Sequence, residues 1–409
     1  MIKGKKILYL TYDGLSDPLG QSQILTYLSG LNKLGHEITI VSSEKKGNDR
    51  MISIIDEDLK RKGIQWVNIP YTKSPLVLST IYDAYKMQLA CKKLCRGTKF
   101  DIIHCRSYIT SLIGLMLKRK FGLKFIFDMR GFYADERIDG GMWNQSSILY
   151  RFIYRFFKNR EARFLEMADY SICLTDDARR EIHSWKSIPG QPLPIQVIPC
   201  CADTKLFDYT LLDPERKASV AKELNIAPTD LVISYVGAVG TWYMLEEMLD
   251  FFVRLRISYP EAKFLFITHE DQRSIRKKAE DRNIPTENVI IQKVNHKDVP
   301  LLLSLAHLSL FFIKPVYSKR ASSPAKQGEI MSMGIPIICN SNIGDIDQII
   351  RDSKAGAIVR SFTEDDYDFV ISQIPQLIQR PKEKIRKAAI EIFSLEKGTK
   401  KYNEVYKNL

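Results

Sequence analysis

The hydrophobic positions of this chain alternate between short continuous runs and longer stretches at helical spacing. Lys6–Thr11 reads Lys-Ile-Leu-Tyr-Leu-Thr, apolar on both faces as a strand buried on both sides must be. Ile24, Leu25, Leu28, Leu31 and Leu34 then recur at steps of one and three residues, predicting a helix over Ser22–Leu34. Gly35 stops it, and Glu37–Ser42 is the next strand. Between them lies a loop, Tyr12–Gln21, with Gly14, Asp17, Pro18 and Gly20. The rhythm continues with strands at Asp101–Cys105, Lys124–Phe127 and Ala168–Leu174, and helices at Thr110–Lys120, Ile148–Glu166 and Thr175–Ser184. A second series has strands at Leu231–Val236, Phe264–Thr268, Val289–Gln292, Leu308–Ile313, Ile335–Cys339 and Ala355–Val359. Its helices are Leu245–Leu255, Asp271–Asp281 and Asp298–Ala306, before a basic helical end, Pro381–Lys407. Strand–helix alternation with apolar strands predicts an α/β protein with doubly wound parallel sheets. A Pro/Gly-rich loop at Ser187–Pro194 and a polar connector at Thr210–Lys222 divide the two series.

Composition agrees: 409 residues at 45% hydrophobic content are ample for two cores. Charge adds an asymmetry. Residues 1–200 hold 31 Lys+Arg against 20 Asp+Glu, whereas residues 201–409 hold 30 against 28. The excess therefore sits in the first half and points to an anionic partner there, membrane phospholipid or a phosphate-bearing acceptor. Seven cysteines, an odd count mostly in apolar runs, imply reduced thiols in the cytoplasm. Cys91 and Cys95 stand four apart, but no second Cys/His pair matches them as metal ligands. The apolar run after the basic Met1–Lys6 is too short for a signal peptide, and no window is long enough to span a bilayer.

Candidate chemistry concentrates in Ser322–Asn340. Ser322 and Ser323 offer a hydroxyl cap and Pro324 a first turn, so a helix is expected to start here. Lys326 and Glu329 then share a helix face, and Gly334 ends the helix before a buried strand. A helix N-terminus beside a strand end is where α/β folds hold anions. A surface helix with an ordinary Lys–Glu pair is the alternative. Gly240-Thr241, after the strand Leu231–Val236, is expected to open a helix and offer backbone N–H groups to phosphate. Trp242 and Tyr243 follow and suit packing. In the first half, the strand at Lys124–Phe127 delivers Asp128, Arg130, Asp135 and Glu136 into a loop dense in ionisable groups. Asp128 suits a ligand hydroxyl and Arg130 a phosphate, or the two form an internal pair that fixes the loop. The helix Ile148–Glu166 mixes aromatics with Arg151, Arg155, Lys158, Arg160 and Arg163. It fits a membrane surface or a packed helix with snorkelling arginines.

With Ser323-Pro324-Ala325-Lys326, Glu329 and Gly334-Ile335-Pro336-Ile337-Ile338 in view, the chain resembles the family-4 glycosyltransferases, the retaining GT-B enzymes. The resemblance implies two Rossmann-like domains facing across a cleft, residues 1–207, closed by a hinge at Val197–Phe207, and residues 208–385, with a terminal helix at 386–409 that crosses back to the first, and transfer of a sugar from a nucleotide-sugar. It implies that Glu329 holds the donor ribose and that Ser323 and Lys326 lie by the diphosphate and sugar. Gly240, Thr241 and Arg320 complete that donor set. Asp13, Gly20 and Gln21 of the first loop, with Asp135 and Glu136, become candidates for acceptor or cleft contacts. Asp128, Arg130 and Glu329 become the catalytic candidates. No metal and no resident cofactor are implied, and Asp56-Glu57-Asp58 and Asp345-Ile346-Asp347 are read as chance matches to a metal motif. The acceptor implied is a glycan or lipid-linked molecule for cell-surface polysaccharide, made at a cytoplasmic membrane face.

The sequence departs from the family pattern in places. Ala321 stands where many members have a second glutamate, and Asp128 where many have a histidine. Cys200-Cys201 replace an Asn-Gly pair in the hinge, and the loop at Gly237–Tyr243 lacks the usual arginine and lysine. Gly344 is a partial match to a glycine pair. Two other readings stay open. One is a nucleotide-sugar 2-epimerase of the same fold, disfavoured because no histidine–carboxylate set stands in the donor stretch. The other is a nucleic-acid-binding protein, which the basic composition suggests but no recognised module supports.

Overall fold

A computed structural model describes residues 4–409, so the first three residues of the basic stretch Met1–Lys6 lie outside the described residues. The chain forms two compact units, one ending at Pro199 but including Leu395–Leu409, the other Cys200–Ser394.

The first unit is built on seven strands: β1 (Lys6–Thr11), β2 (Glu37–Glu44), β3 (Gln65–Pro70), β4 (Ile102–Arg106), β5 (Lys124–Asp128), β6 (Tyr170–Cys173) and β7 (Ile195–Val197). They form one sheet in the order β3-β2-β1-β4-β5-β6-β7, and every described pairing is parallel. The register sets Ile7 beside Ile38 and Ile102, and Leu10 beside Val41 and Cys105. Apolar neighbours of this kind, covered on both faces, are why these strands read as continuous hydrophobic runs. The strand order reverses between β1 and β4, so their C-terminal ends open the crevice where doubly wound sheets hold ligands.

Two expectations in this unit need correction. Gly20 and Gln21 are not in a loop: helix begins at Pro18 and continues through a π turn at Gln21–Leu25 into Thr26–Lys33. Proline fits a first helical turn, so Asp17-Pro18 starts this helix before the apolar spacing becomes visible. Likewise, the stretch after Asp128 contains a seven-residue helix, Tyr133–Asp139, with Asp135 and Glu136 in its first turn. Acidic residues suit the positive end of a helix dipole, but so short a helix shows no hydrophobic period. The basic aromatic helix forms over Ile148–Met167, as its sequence implies.

The second unit has β8 (Val232–Val236), β9 (Lys263–Ile267), β10 (Val289–Gln292), β11 (Leu308–Phe311), β12 (Ile337–Asn340) and β13 (Gly356–Val359). These too are parallel, in the order β10-β9-β8-β11-β12-β13, with the reversal between β8 and β11. Phe251, Phe252, Phe264 and Phe266 are fully buried at its centre. Phe207, expected to end the first domain, is instead fully buried in this second core. The segment from Cys200 is fastened here by backbone: Cys200 N–H donates to Ser323 Oγ at 3.2 Å and Ala202 N–H to Phe393 O at 2.7 Å. The terminal helical stretch is divided at Ser394, which is extended (φ −66°, ψ 140°). Lys382–Phe393 belongs to the second unit and Leu395–Lys407 to the first.

Candidate functional site

The helix Ala325–Ser332 stands at the switch point of the second sheet. Its start differs from expectation: Pro324 is the N-cap, and no side chain caps the helix. Ser323 Oγ is taken up as acceptor for Cys200 N–H. Its end agrees with expectation. Gly334 is left-handed (φ +67°), its N–H reaches Met331 O at 2.9 Å, and Ile335 N–H reaches Ile330 O at 3.3 Å.

Lys326 and Glu329 share this helix, but each has its own surroundings. Lys326 is buried, and its Nζ has no hydrogen-bond partner among the described residues. The amine sits 3.6 Å from the Tyr243 ring centre and 4.1 Å from that of Tyr235. It lies directly beneath Gly237, where an added Cβ would stand 3.2 Å from Nζ. Burial holds its pKa well below the usual lysine range, with Glu329 pulling weakly the other way. Glu329 instead accepts from His296 Nε2 at 2.9 Å. That bond, ahead of an opposing burial effect and the further charge of Asp203, raises the His296 pKa. The imidazole packs against Phe207, with ring centres 5.3 Å apart.

Above Lys326 runs the loop that follows β8. Gly237 (φ +109°) and Gly240 (φ +105°) take positive angles, and Thr241 does so despite its β-branch (φ +40°). The helix begins only at Leu245, so Gly240-Thr241 do not open it. Trp242 and Tyr243 N–H bond Gly240 O, Tyr243 bridges to Ile313, and Met244 N–H bonds Phe312 O at 3.0 Å. These bonds fold the loop over the amine. Lys319 Nζ lies 3.6 Å from the Trp242 ring centre, and Arg320 is half-buried one residue on, in the turn Tyr317–Ala321. Gly344 N–H holds Lys319 O at 3.0 Å, a use for the glycine after β12.

At the C-terminal ends of β1, β4 and β5 the first unit holds a second cluster. Asp128 is fully buried and accepts from Tyr402 Oη at 3.1 Å and His104 Nε2 at 3.4 Å, with Arg130 Nη1 at 3.9 Å. Burial pushes its pKa up, but Arg130, His104 and Arg106 together outweigh that and hold it low. Burial lowers the pKa of His104, whose Nδ1 is 2.8 Å from Tyr406 Oη. Asp13 faces Arg106 Nε at 3.4 Å. Arg130 takes a left-handed backbone (φ +59°), unusual for a long side chain. Gln21 Nε2 donates to Ser16 O at 3.1 Å, and Gly20 packs so closely on Gly14 that no Cβ fits. Asp135 is turned inward, accepting from Tyr154 Oη and Lys158 Nζ, each at 2.9 Å. Glu136 is half-buried on the same short helix.

Several partners escaped the sequence reading. His296 lies beyond β10, with no motif around it. Glu44, at the end of β2, binds the N–H groups of Leu15 and Ser16 and so shapes the first loop. Tyr402 and Tyr406 are hundreds of residues from Asp128 and His104, and only an anchoring role could be read for them.

A parallel sheet in each unit, with a buried lysine, a carboxylate and a positive-φ loop at one switch point of the second, defines a doubly wound α/β protein. The chain belongs to the glycosyltransferases. Residues 20–206 match the Glycosyltransferase Family 4 model and residues 217–391 the Glycosyl transferases group 1 model. Solved structures agree on the GT-B fold class. A glycosyltransferase from Rickettsia africae is 16% identical, with 99% of this chain and 98% of that one covered and a TM-score of 0.72. Anabaena HepE in complex with UDP-glucose is 12% identical, with 99% and 100% covered and a TM-score of 0.72. WaaG, a glycosyltransferase involved in lipopolysaccharide biosynthesis, is 16% identical, with 98% and 99% covered and a TM-score of 0.68. No curated protein matches the chain by sequence.

Proposed function

We propose that this glycosyltransferase moves a sugar, with retention of configuration, from a nucleotide-diphosphate donor to a glycan or lipid-linked acceptor in cell-surface polysaccharide synthesis. One observation carries the donor half: a buried amine without a hydrogen-bond partner among the described residues, Lys326, lies beneath a positive-φ loop, one helical turn from a carboxylate. An amine held so is ready for an anion that supplies both charge and hydrogen bonds. Lys326 and Arg320 would meet the diphosphate, Gly240, Thr241 and Ser323 would border it, and Glu329 would accept from the ribose hydroxyls. These side chains suit the charge on the leaving diphosphate, so we propose no metal and no resident cofactor. HepE is crystallised with UDP-glucose, which supports uracil as the first base to test.

In the first unit, Arg130, held by the buried Asp128, would serve a phosphate or hydroxyl of the acceptor. Asp13, Gly20, Gln21, Asp135 and Glu136 would shape that wall. The bond from the anomeric carbon to the leaving phosphate breaks as the bond to the acceptor oxygen forms. The departing nucleoside diphosphate takes the acceptor's proton, so no protein base is assigned. WaaG's involvement in lipopolysaccharide biosynthesis supports a cell-surface glycan, and the basic first half supports work at the anionic inner face of a cell membrane.

The deciding experiment is a thermal-shift panel of nucleoside diphosphates on the wild type and Glu329→Ala. A ligand that binds the folded state raises the melting temperature by mass action. One diphosphate that shifts the wild type but not the variant supports the donor site and identifies the base. No shift with any of them up to millimolar concentration sinks it. Turnover of the nucleotide-sugar to an isomer without an acceptor product would favour the 2-epimerase instead. Salt-sensitive binding to DNA or RNA would favour the nucleic-acid reading.

A further inference from the structure

The helix Ala325–Ser332, which carries Lys326 and Glu329, ends on carbonyls that no N–H of its own can reach. Met333, Gly334 and Ile335 N–H take those of Glu329, Met331 and Ile330. Ser332 O is met instead by a side chain 54 residues on: Arg386 Nη1 donates to it at 2.6 Å. A positive group at a helix C-terminus also suits the dipole. Arg386 stands on Lys382–Phe393, which packs directly on the shorter helix: a Cβ on Gly328 would lie 2.9 Å from Phe393 Cβ.

The same guanidinium gathers the segment that follows Ala202. Nη1 also donates to Phe207 O at 2.6 Å, and Nη2 donates to Thr204 O at 2.8 Å and to Asp208 Oδ2 at 2.5 Å. These four bonds use the planar fork that a lysine ammonium lacks. The segment is itself a closed turn: Phe207 N–H donates to Asp203 O at 2.9 Å, and Asp203 Oδ1 accepts from Lys205 and Leu206 N–H. Arg386 therefore fixes where Phe207 enters the core. His296 packs on the Phe207 ring, and its Nε2 holds Glu329. The contacts close a ring: from Arg386 to Ser332, along the helix to Glu329, across to His296 and Phe207, and back to Arg386.

We propose that Arg386 is a positioning residue for the donor, setting both members of the Glu329–His296 pair. It sets the carboxylate through the end of its helix and the imidazole through the ring behind it. It acts through these groups and not on the reacting atoms. The inference deepens the proposed function and rests on it for the contact between Glu329 and the donor ribose. A lysine at this position keeps a charge opposite Asp208 but cannot hold three carbonyl oxygens in the plane of one fork. The helix end and the aromatic ring then lose their common tie, and Glu329 loses its fixed place relative to Lys326 and His296. Misplacing a ligand-binding group in this way weakens binding without any change in the group itself.

The experiment compares the full chain with Arg386→Lys, Phe207→Leu and, as a control, Ile385→Val, a buried position on the same helix outside the ring of contacts. UDP is titrated by calorimetry at pH 6 and 8. Without nucleotide, His296 is titrated by proton NMR, its signal assigned by its loss in His296→Asn. Glu329 and Asp203 are the charges that raise this histidine, and Lys297 and Asp298 share its turn. Arg386→Lys should bind UDP about tenfold more weakly at pH 8, and its His296 midpoint should fall toward the ordinary value near 6.5. Phe207→Leu releases only the imidazole, so it should lower that midpoint yet keep UDP affinity at pH 8 within about twofold. The gain in affinity from pH 6 to 8 should flatten in both. Ile385→Val should lose stability and keep both readings. An Arg386→Lys protein with the parent's affinity and midpoint overturns the proposal. So does an Ile385→Val protein that loses both, since destabilisation alone then suffices. If Arg386→Lys does not fold, Phe207→Leu decides, and a parental midpoint there overturns the proposal. The donor reading fails separately: a wild type that binds no nucleoside diphosphate loses that reading, while the His296 midpoint still tests the hold of Arg386 on the pair.

Discussion

Glu329 accepts a 2.9 Å hydrogen bond from His296 Nε2, so the carboxylate proposed for the donor ribose already has a partner in the chain. A ribose that takes the same oxygen, Oε1, must loosen that bond. The bond raises the His296 pKa, so protonated histidine holds Glu329 more firmly. The pair's contribution to stability is full below the unfolded histidine value near 6.5 and is lost as pH rises through the raised folded value. Nucleotide affinity should move oppositely and improve as pH rises through that same range. Asp203 is the other charge that raises this group.

The expected size is modest because His296 is half exposed, and such pairs contribute about 0.5–1 kcal/mol. Titration calorimetry with UDP between pH 6 and 8 should show affinity rising about two- to fivefold more in the wild type than in His296→Asn. Equal slopes in the two proteins would mean that the pair does not gate the carboxylate. The difference between proteins removes the phosphate's own titration from the comparison.

Lys326 sets function against stability. A buried amine without a hydrogen-bond partner costs about 1–3 kcal/mol. Lys326→Met should therefore raise the melting temperature by a few degrees while abolishing nucleotide binding. Between its lowered folded pKa and the ordinary value near 10.5, the unfolded chain binds a proton that the folded chain does not. Wild-type stability should accordingly climb with pH across that window, and the climb should flatten in the variant. Binding of a diphosphate should draw in a proton, seen as heats that depend on the buffer's ionisation enthalpy. A destabilised Lys326→Met that still binds UDP would refute both the cost and the role.

Asp128 offers the opposite case. Its carboxylate lies among Arg130, Arg106, His104 and Tyr402, and its removal leaves buried positive charge without a counter-charge. Asp128→Ala should cost about 3–5 kcal/mol, as breaking a buried pair does. Tyr402→Phe, which removes one donor to the carboxylate, should cost about 1–3 kcal/mol. Urea unfolding measures both. An Asp128→Ala protein as stable as the parent, yet inactive, would make Asp128 a reacting group and not a positioning one.

The fold was legible because strands covered on both faces must be apolar throughout: Ile7 to Leu10 and Val232 to Val236 are buried and could be read directly. Gly334 was legible for a local reason, since a helix stop needs a residue that tolerates positive φ. What escaped has equally physical causes. β3 is half exposed, so it offers no continuous run. Ser323 reads as a cap, but a backbone N–H 123 residues away claims its oxygen. The neighbours that decide the chemistry of Lys326 and Glu329, Tyr243 and His296, are brought in by the sheet's strand order. No spacing in the sequence encodes that proximity.

Two glycines separate conformational strain from collision. Gly122 (φ +69°) and Gly334 (φ +67°) share one left-handed geometry at helix ends. A Cβ on Gly122 meets nothing within 4 Å. On Gly334 it would stand 2.6 Å from Lys382 Cβ and 2.9 Å from Lys382 O. Alanine in the left-handed region costs about 1–2 kcal/mol by itself, so Gly122→Ala should lose about that much. Gly334→Ala must in addition displace the backbone of Lys382–Phe393, because a carbonyl oxygen cannot yield as a side-chain tip can. Its loss should be at least about twice as large, in the range of overpacked cores. Urea midpoints of the two single variants test this. Equal losses would mean that Lys382–Phe393 shifts freely, and would remove the reason to regard the end of the Glu329 helix as fixed by what packs on it.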